Sequence, residues 1–438
     1  MISVVPHCGY LSETSRMLEI HRALRERGAP VRLATHGGTH QNLLGRAGVD
    51  YDLIEPRLTP ARCGELVRSG PGLGPPDQSM WTDDELLAHA EAEATYIRDH
   101  DVSVVVTGFA LTTLLSTRLA GVPLVTEHAG SFVPPLAERG LLPLPTGPSL
   151  PPPLRGLPPE VARAAYNQRF GTRDLYTAGF NRVAARLGVE PVPSLPALLL
   201  GDLTLVTDLS EVVGVTAEEM EAWRPAPGSP YRPSTRLAYA GPIHAHLDVP
   251  MPVRAEALLS SPGTTVYVAM TSTAPDLVRA VVADVVAAGD WRVLVAGTVH
   301  EVVDLEALAP SRVVVEGVLP SHLVLPRVAA AVVTGGQGSV QAALSSGTPF
   351  VGIPLHAEQD LNVHLPERLG AAIVRPVGTV AGGVGADVGR LLADPSYAAA
   401  AGRWADRFAA VDGPGLAAEQ ILAPHGTADT RTPQTAAR

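Results

Sequence analysis

The sequence predicts two α/β domains in tandem, each built on a doubly wound parallel sheet. Three observations predict it. Short, nearly unbroken apolar runs alternate with helix-length segments, the pattern of parallel strands buried on both faces. The alternation pauses in the Pro-rich stretch Pro225–Pro233 and restarts after Ala240-Gly241-Pro242. The chain has 438 residues, 46% hydrophobic and 18% charged, which is enough for two cores.

The elements follow in order. Ile2–Val5 reads as a buried strand, Glu13–Gly28 as a helix stopped by glycine, and Val31–Thr35 as the next strand, which makes one βαβ unit. Val102–Thr107 and Val122–Thr126 repeat the pattern around a helix over Leu111–Ala120, and Leu203–Thr207 adds a strand. Pro134–Pro159 is rich in Pro, Leu and Gly and lacks periodicity, so it reads as a loop or set of short turns: a binding loop or a surface insertion. Beyond the pause, strands are expected at Thr264–Met270, Arg292–Ala296, Arg312–Glu316, Ala330–Thr334 and Phe350–Ile353. Helices are expected at Ala274–Ala288, Ser339–Ser346, Gln359–Leu369, Ala398–Ala410 and Gly415–Leu422, with a disordered tail from Pro424.

Composition narrows the partners. A net charge of −11, with no lysine at all, argues against nucleic acid or an anionic membrane surface. Cys8 and Cys63 are too few for a disulfide framework, and a reduced cytoplasmic setting is the simplest expectation. No apolar run reaches the roughly 18 residues of a membrane span, and the N-terminus lacks the charged and apolar regions of a signal peptide.

The most informative stretch is Val332–Asn362, VVTGGQGSVQAALSSGTPFVGIPLHAEQDLN. It reads as strand, Gly-rich turn, helix, strand, and a loop carrying Glu358, Gln359 and Asn362. Gly335, Gly336 and Gly338 let the backbone turn tightly and approach a ligand. Ser339 is placed to cap the helix, whose free N–H groups favour phosphate. A carboxylate and an amide at Glu358 and Gln359 suit sugar hydroxyls; equally, they suit a helix N-terminus.

This segment resembles the donor signature of family 1 glycosyltransferases: His-Gly-Gly-x-Gly-Thr, then Gly-x-Pro, then Pro-x-x-x-Asp-Gln-x-x-Asn. The chain reads Thr334-Gly335-Gly336-Gln337-Gly338-Ser339, Gly347-Thr348-Pro349 and Pro354 through Glu358-Gln359 to Asn362. The resemblance is to the bacterial branch that decorates antibiotics and other secondary metabolites. It implies the GT-B architecture, two Rossmann-like domains facing a deep cleft. It divides the chain into an acceptor domain at 1–235, a linker at 236–250, a donor domain at 251–405, a returning helix at 406–423 and a tail at 424–438.

The resemblance also implies an activity and a donor site. The activity is metal-independent, inverting transfer of a sugar from a UDP- or dTDP-sugar to a small hydrophobic natural product, without a cofactor; a homodimer is left open. The alternative is a catalytically silent homologue acting as a helper subunit. Thr271 and Ser272 fall in the family's Gly-Thr or Gly-Ser loop, where hydroxyls reach phosphate or merely cap a strand end. Val318 falls in its base-contacting loop. Thr334 replaces the family's histidine, which shifts the diphosphate onto helix N–H groups and hydroxyls.

On the acceptor side, Cys8-Gly9-Tyr10-Leu11-Ser12-Glu13-Thr14 is similar to the Cys-Gly-x-x-Gly-Asp-Thr of glycopeptide-antibiotic glycosyltransferases. The similarity makes Glu13 the general base; the competing reading is an acid that favours the dipole of a helix capped by Ser12. His7 is the second candidate base. Thr107 stands where the family carries an orienting aspartate, which a carboxylate base does not need. Glu127 and His128 are further polar groups facing the acceptor, and Asn362 is expected to brace its loop.

Overall fold

The structure, a computed structural model, describes residues 1–68, 74–146, 150–243, 249–270, 273–297 and 304–423. The first sheet has seven parallel strands: β1 Ile2–Val4, β2 Val31–Thr35, β3 Tyr51–Leu53, β4 Val104–Thr107, β5 Leu124–His128, β6 Leu203–Val206 and β7 Arg236–Tyr239. Their spatial order is β3-β2-β1-β4-β5-β6-β7. The second has six: β8 Thr265–Ala269, β9 Arg292–Ala296, β10 Val313–Glu316, β11 Ala330–Val333, β12 Phe350–Gly352 and β13 Ala372–Val374, in the order β10-β9-β8-β11-β12-β13.

Both sheets reverse direction beside their first strand, between β1 and β4 and between β8 and β11. In doubly wound sheets a crevice opens at that point, outside the carboxyl ends of the strands. The loop leaving β1 carries His7 and leads into the helix that holds Glu13, and the loop leaving β4 carries Gly108 and Phe109. The segment leaving β11 carries the Gly335–Gly338 turn. Each switch point thus brings the residues named here to the carboxyl edge of its sheet.

Several expectations are corrected. The first sheet extends through β7 at Arg236–Tyr239, where the linker was expected to begin: Thr204, Leu205 and Val206 pair with Leu237, Ala238 and Tyr239. Pro134–Glu138 forms a short helix with proline in its first turn, where the fixed φ suits it. The return to the first domain starts later than 406. Pro395–Ala409 packs on the Gln337–Ser345 helix of the second domain, and the following helix, Gly413–Leu422, packs on Leu11–Glu26. There Ala417, Ala418 and Ile421 join Met17, Ile20 and Leu24 in one buried cluster. The tail from 424 lies outside the described residues.

The sequence reading passed over the long helix Asp83–Asp99, although its start is written locally. Thr82 accepts from the Glu85 N–H and the Glu85 carboxylate accepts from the Thr82 N–H, a complete capping box. Both cysteines are free and buried. Among the described residues no helix is long and apolar enough to cross a membrane.

Candidate active site

The first helix begins at Leu11, not at Glu13. Tyr10 sits at its N-cap in extended conformation without a side-chain cap bond, so Ser12 is not the cap. Glu13 lies in the first turn of that helix, where an acid suits the dipole, and it also reaches a second element. Its Oε1 accepts from the Gly108 N–H at 3.3 Å and the Phe109 N–H at 3.1 Å, both in the loop after β4. The residue is 2% exposed, and its Oε2 has no hydrogen-bond partner. Burial, the largest influence, pushes this carboxyl up to about 7; Arg16 and the Phe109 N–H pull it down less, and Glu127 adds to the rise.

Gly108 is where two carboxylates converge. A Cβ there would lie 2.8 Å from Glu13 Cγ and 3.0 Å from Glu127 Oε2, so only glycine leaves room. Thr107 beside it is spent on the scaffold: its hydroxyl donates to the Val5 carbonyl at 2.7 Å and accepts from the Ala110 N–H at 3.1 Å.

The other acceptor-side candidates have different tasks. His7 Nδ1 accepts from the Gly9 N–H at 3.2 Å, which leaves the proton of the neutral ring on Nε2. Burial lowers the ring's pKa to about 4, so at neutral pH His7 offers a donor and no free lone pair. Glu127 accepts from Arg16 Nε at 2.9 Å, from Thr207 at 2.8 Å and from Gln337 at 3.0 Å. Burial opposes its ionisation, but Arg16 and these bonds hold it below the usual carboxylate range. His128 Nδ1 lies 2.8 Å from the Ala129 carbonyl, to which it donates.

On the facing domain, Gly335 has φ +93°, and a Cβ there would lie 2.5 Å from Val363 and 2.7 Å from the Gln359 carbonyl. The turn therefore requires glycine twice over, by conformation and by close approach. A Cβ on Gly338 would meet Ser12 Cβ at 2.8 Å, so this turn touches the first helix of the opposite domain. Nothing lies within 4 Å of a Cβ on Gly336. The helix runs Gln337–Ser345 with Gly336 at its N-cap, so Ser339 falls in the first turn and does not cap it. Thr334 is buried beside the turn.

Glu358 Oε1 accepts from Asn362 Nδ2 at 3.2 Å, one helical turn on, and Gln359 Oε1 accepts from the Leu355 N–H at 2.9 Å. Asn362 thus orients Glu358, and Gln359 holds the loop with its oxygen. Val318 is 38% exposed just beyond β10. Thr271 and Ser272 lie outside the described residues. Among the described residues no group of three or more His, Cys, Asp or Glu is arranged to hold a metal ion.

Three residues of the second domain, Gln337, Gln341 and Asp360, make polar contacts across the cleft that were not read from sequence. Gln337, the variable residue of the Gly-rich turn, donates to both Glu127 and Thr207 of the first domain, at 3.0 and 2.6 Å. Gln341, one turn further, donates to Asp208 Oδ1 at 3.1 Å; Asp208 Oδ2 accepts from the Gly130 N–H at 2.7 Å, and burial raises this acid to about 6. Asp360, fully buried, accepts from the Thr146 N–H at 2.7 Å and so ties the Pro-rich loop to the Glu358-Gln359 segment. The acidic-amide motif marks the segment, but nothing local says that its third residue faces the other domain.

His364 backs that tie, with Nε2 3.1 Å from Asp360, a charge contact and not a well-directed hydrogen bond, and Nδ1 3.0 Å from Glu367. Burial alone would lower its pKa from 6.5, but the two carboxylates overturn this and raise it to about 9. The raised value means stability that is present below pH 6.5 and lost as pH rises through 9. Urea unfolding at pH 6.5 and 9.5 should differ by about 2 kcal/mol from this residue, and His364→Ala should flatten the difference. An unchanged slope in the variant would remove His364 as its source.

Comparisons with known proteins agree with this layout. Residues 279–423 match the family described as erythromycin biosynthesis protein CIII-like, C-terminal domain. A "PGL/p-HBAD biosynthesis glycosyltransferase" of Mycobacterium tuberculosis is 33% identical over 100 residues; the match spans 23% of this chain and 23% of that protein's length. Among solved structures, the spinosyn forosaminyltransferase SpnP superposes with a TM-score of 0.62 at 15% identity, over 96% of this chain and 97% of that one. The glycosyltransferase VinC, solved in complex with dTDP, gives 0.59 at 16% identity, over 96% and 100%. At these identities the structural matches establish the shared two-domain GT-B fold.

Proposed function

We propose that this chain, with its GT-B fold and antibiotic-tailoring C-terminal domain, is an inverting, metal-independent glycosyltransferase. It takes the sugar of a UDP- or dTDP-sugar and passes it to a hydroxyl of a small natural product. The observation that carries this reading is Glu13. One of its oxygens is fixed by the β4 loop while the other is buried and unpartnered, one residue from the Ser12 contact with the facing Gly-rich turn. Glu13 Oε2 takes the proton from the acceptor hydroxyl as that oxygen bonds to the anomeric carbon. The bond from that carbon to the diphosphate breaks, and the diphosphate leaves with the electron pair toward the Gln337–Ser345 N-terminus, whose N–H groups stabilise it. The dTDP in VinC and the erythromycin-type C-terminal domain support the donor and acceptor classes.

Calorimetric titration with dTDP and UDP tests the donor half, and transfer from a panel of their sugars, with the anomeric configuration read by NMR, tests the rest. Saturable nucleotide binding and a product of inverted configuration are expected. No binding of either nucleotide overturns the reading.

A further inference from the structure

Resting on that reading, we infer that the acceptor is a flat aromatic molecule presenting a phenolic hydroxyl, held against a ring cluster that leads to Glu13. Four side chains form the cluster. His7 lies 5.2 Å from Tyr10, 6.1 Å from Trp81 and 6.4 Å from Phe109, centroid to centroid, and Tyr10 meets Phe109 edge-on at 5.3 Å. His7 and Trp81 are buried, while Tyr10 and Phe109 form a half-buried outer edge. Phe109 is also the residue whose N–H fixes Glu13, so the rings and the base share one loop.

The polar atoms of this cluster are unspent. His7 Nε2, Trp81 Nε1, the Tyr10 hydroxyl and Glu13 Oε2 are all buried without a hydrogen-bond partner. A buried polar group left unmatched costs about 1–3 kcal/mol, so four on one ring cluster and the acid that its Phe109 anchors call for partners. His7 and Trp81 can only donate here, which asks for acceptor oxygens, while Glu13 Oε2 asks for a hydroxyl proton. Ring faces and edges meeting at these angles favour an aromatic guest over an aliphatic one. Burial first, and then the charges of Cys63, Glu358 and Glu13, raise the Tyr10 phenol, so the ring wall stands within the field of Glu358 on the other domain.

The chemistry of the base agrees. A carboxylate that titrates near 7 is a far better match for a phenol than for an alkanol, whose proton is held about six orders of magnitude more tightly, because proton-transfer efficiency follows the pKa gap. In the transfer the phenol O–H proton goes to Glu13 Oε2, the phenolic oxygen bonds to the anomeric carbon, and the nucleoside diphosphate leaves with the electron pair.

The test uses the full chain, with dTDP and UDP binding measured in every sample. Hydroxyflavone and the saturated alcohol cyclododecanol are titrated by calorimetry against the wild type, His7→Phe and Phe109→Leu. Hydroxyflavone is expected to bind at least 10-fold more tightly than cyclododecanol. His7→Phe keeps a ring but loses the N–H and should weaken hydroxyflavone about 10-fold; Phe109→Leu, at the outer edge, should do the same without disturbing the buried floor. With dTDP or UDP bound, equal affinity for the two probes, or full affinity in both variants, overturns the inference. Failure of the wild type to bind either nucleotide instead overturns the transferase reading and this inference with it.

Discussion

Replacing Glu13 by Gln is expected to lower kcat by about 100- to 10,000-fold, the usual worth of a positioned general base, while dTDP binds as before. Glutamine keeps the size and can still accept from the Gly108 and Phe109 N–H groups, so the change isolates the proton-accepting oxygen. The pH profile carries the sign. The proposed base works only when ionised, and burial raises the Glu13 pKa to about 7. In the wild type kcat/KM should be flat above that value and fall about tenfold per pH unit below it. Stability should move the other way. For an acid whose pKa is raised on folding, the penalty appears as pH climbs from 4.5 to 7 and persists above. Glu13→Gln should therefore be more stable than wild type at pH 8, on the order of 1–3 kcal/mol, and no more stable at pH 4.5. A variant that transfers sugar at the wild-type rate would falsify the assignment, whatever its stability.

The second large effect concerns Arg16 and Glu127. Their side chains are 9% and 0% exposed and meet at 2.9 Å. Glu127→Leu alone leaves a buried guanidinium without its counter-charge and should cost about 3–5 kcal/mol in urea unfolding. Arg16→Met together with Glu127→Leu should recover most of that loss, since two apolar side chains bury without a desolvation penalty. It will not recover all of it, because Thr207 and Gln337 also lose their acceptor. If Glu127→Leu unfolds at the wild-type urea concentration, the pair is not a structural anchor. Glu127 also raises the Glu13 carboxyl, so the milder Glu127→Gln should shift the pH midpoint of kcat/KM downward.

Much of the fold was legible because it is local. Val104–Thr107 and Ala330–Val333 are apolar on every residue but the last or throughout, which marks buried parallel strands, and glycine stops mark the helix ends. What escaped was either short or masked by context. β7 looked like linker because prolines precede it, and the Asp83–Asp99 helix begins in a capping box, yet its Ala- and Glu-rich body interrupts the apolar rhythm. Helix starts were misplaced at both Ser12 and Ser339 for one reason. A serine near a helix start suggests a cap, but Tyr10 and Gly336 already hold the extended conformation that begins each helix.

The candidate site divides along the same line. The Gly335–Gly338 turn, Glu358 and Gln359 lie within one stretch of chain, and their spacing on a strand-turn-helix is enough to propose a donor pocket. Glu13 could be named from sequence but not assigned a state. Its pKa depends on burial, on the Phe109 N–H nearly a hundred residues away, and on the charges of Arg16 and Glu127. Nor could sequence show that Gln337 reaches Glu127, or that Asp360 holds the Pro-rich loop through Thr146. Periodicity and turn chemistry act over a few residues and are written in the chain order. Desolvation, like-charge proximity and cross-domain hydrogen bonds arise only when both sheets bring their switch points together, and those set the opposite pKa directions of Glu13 and Glu127.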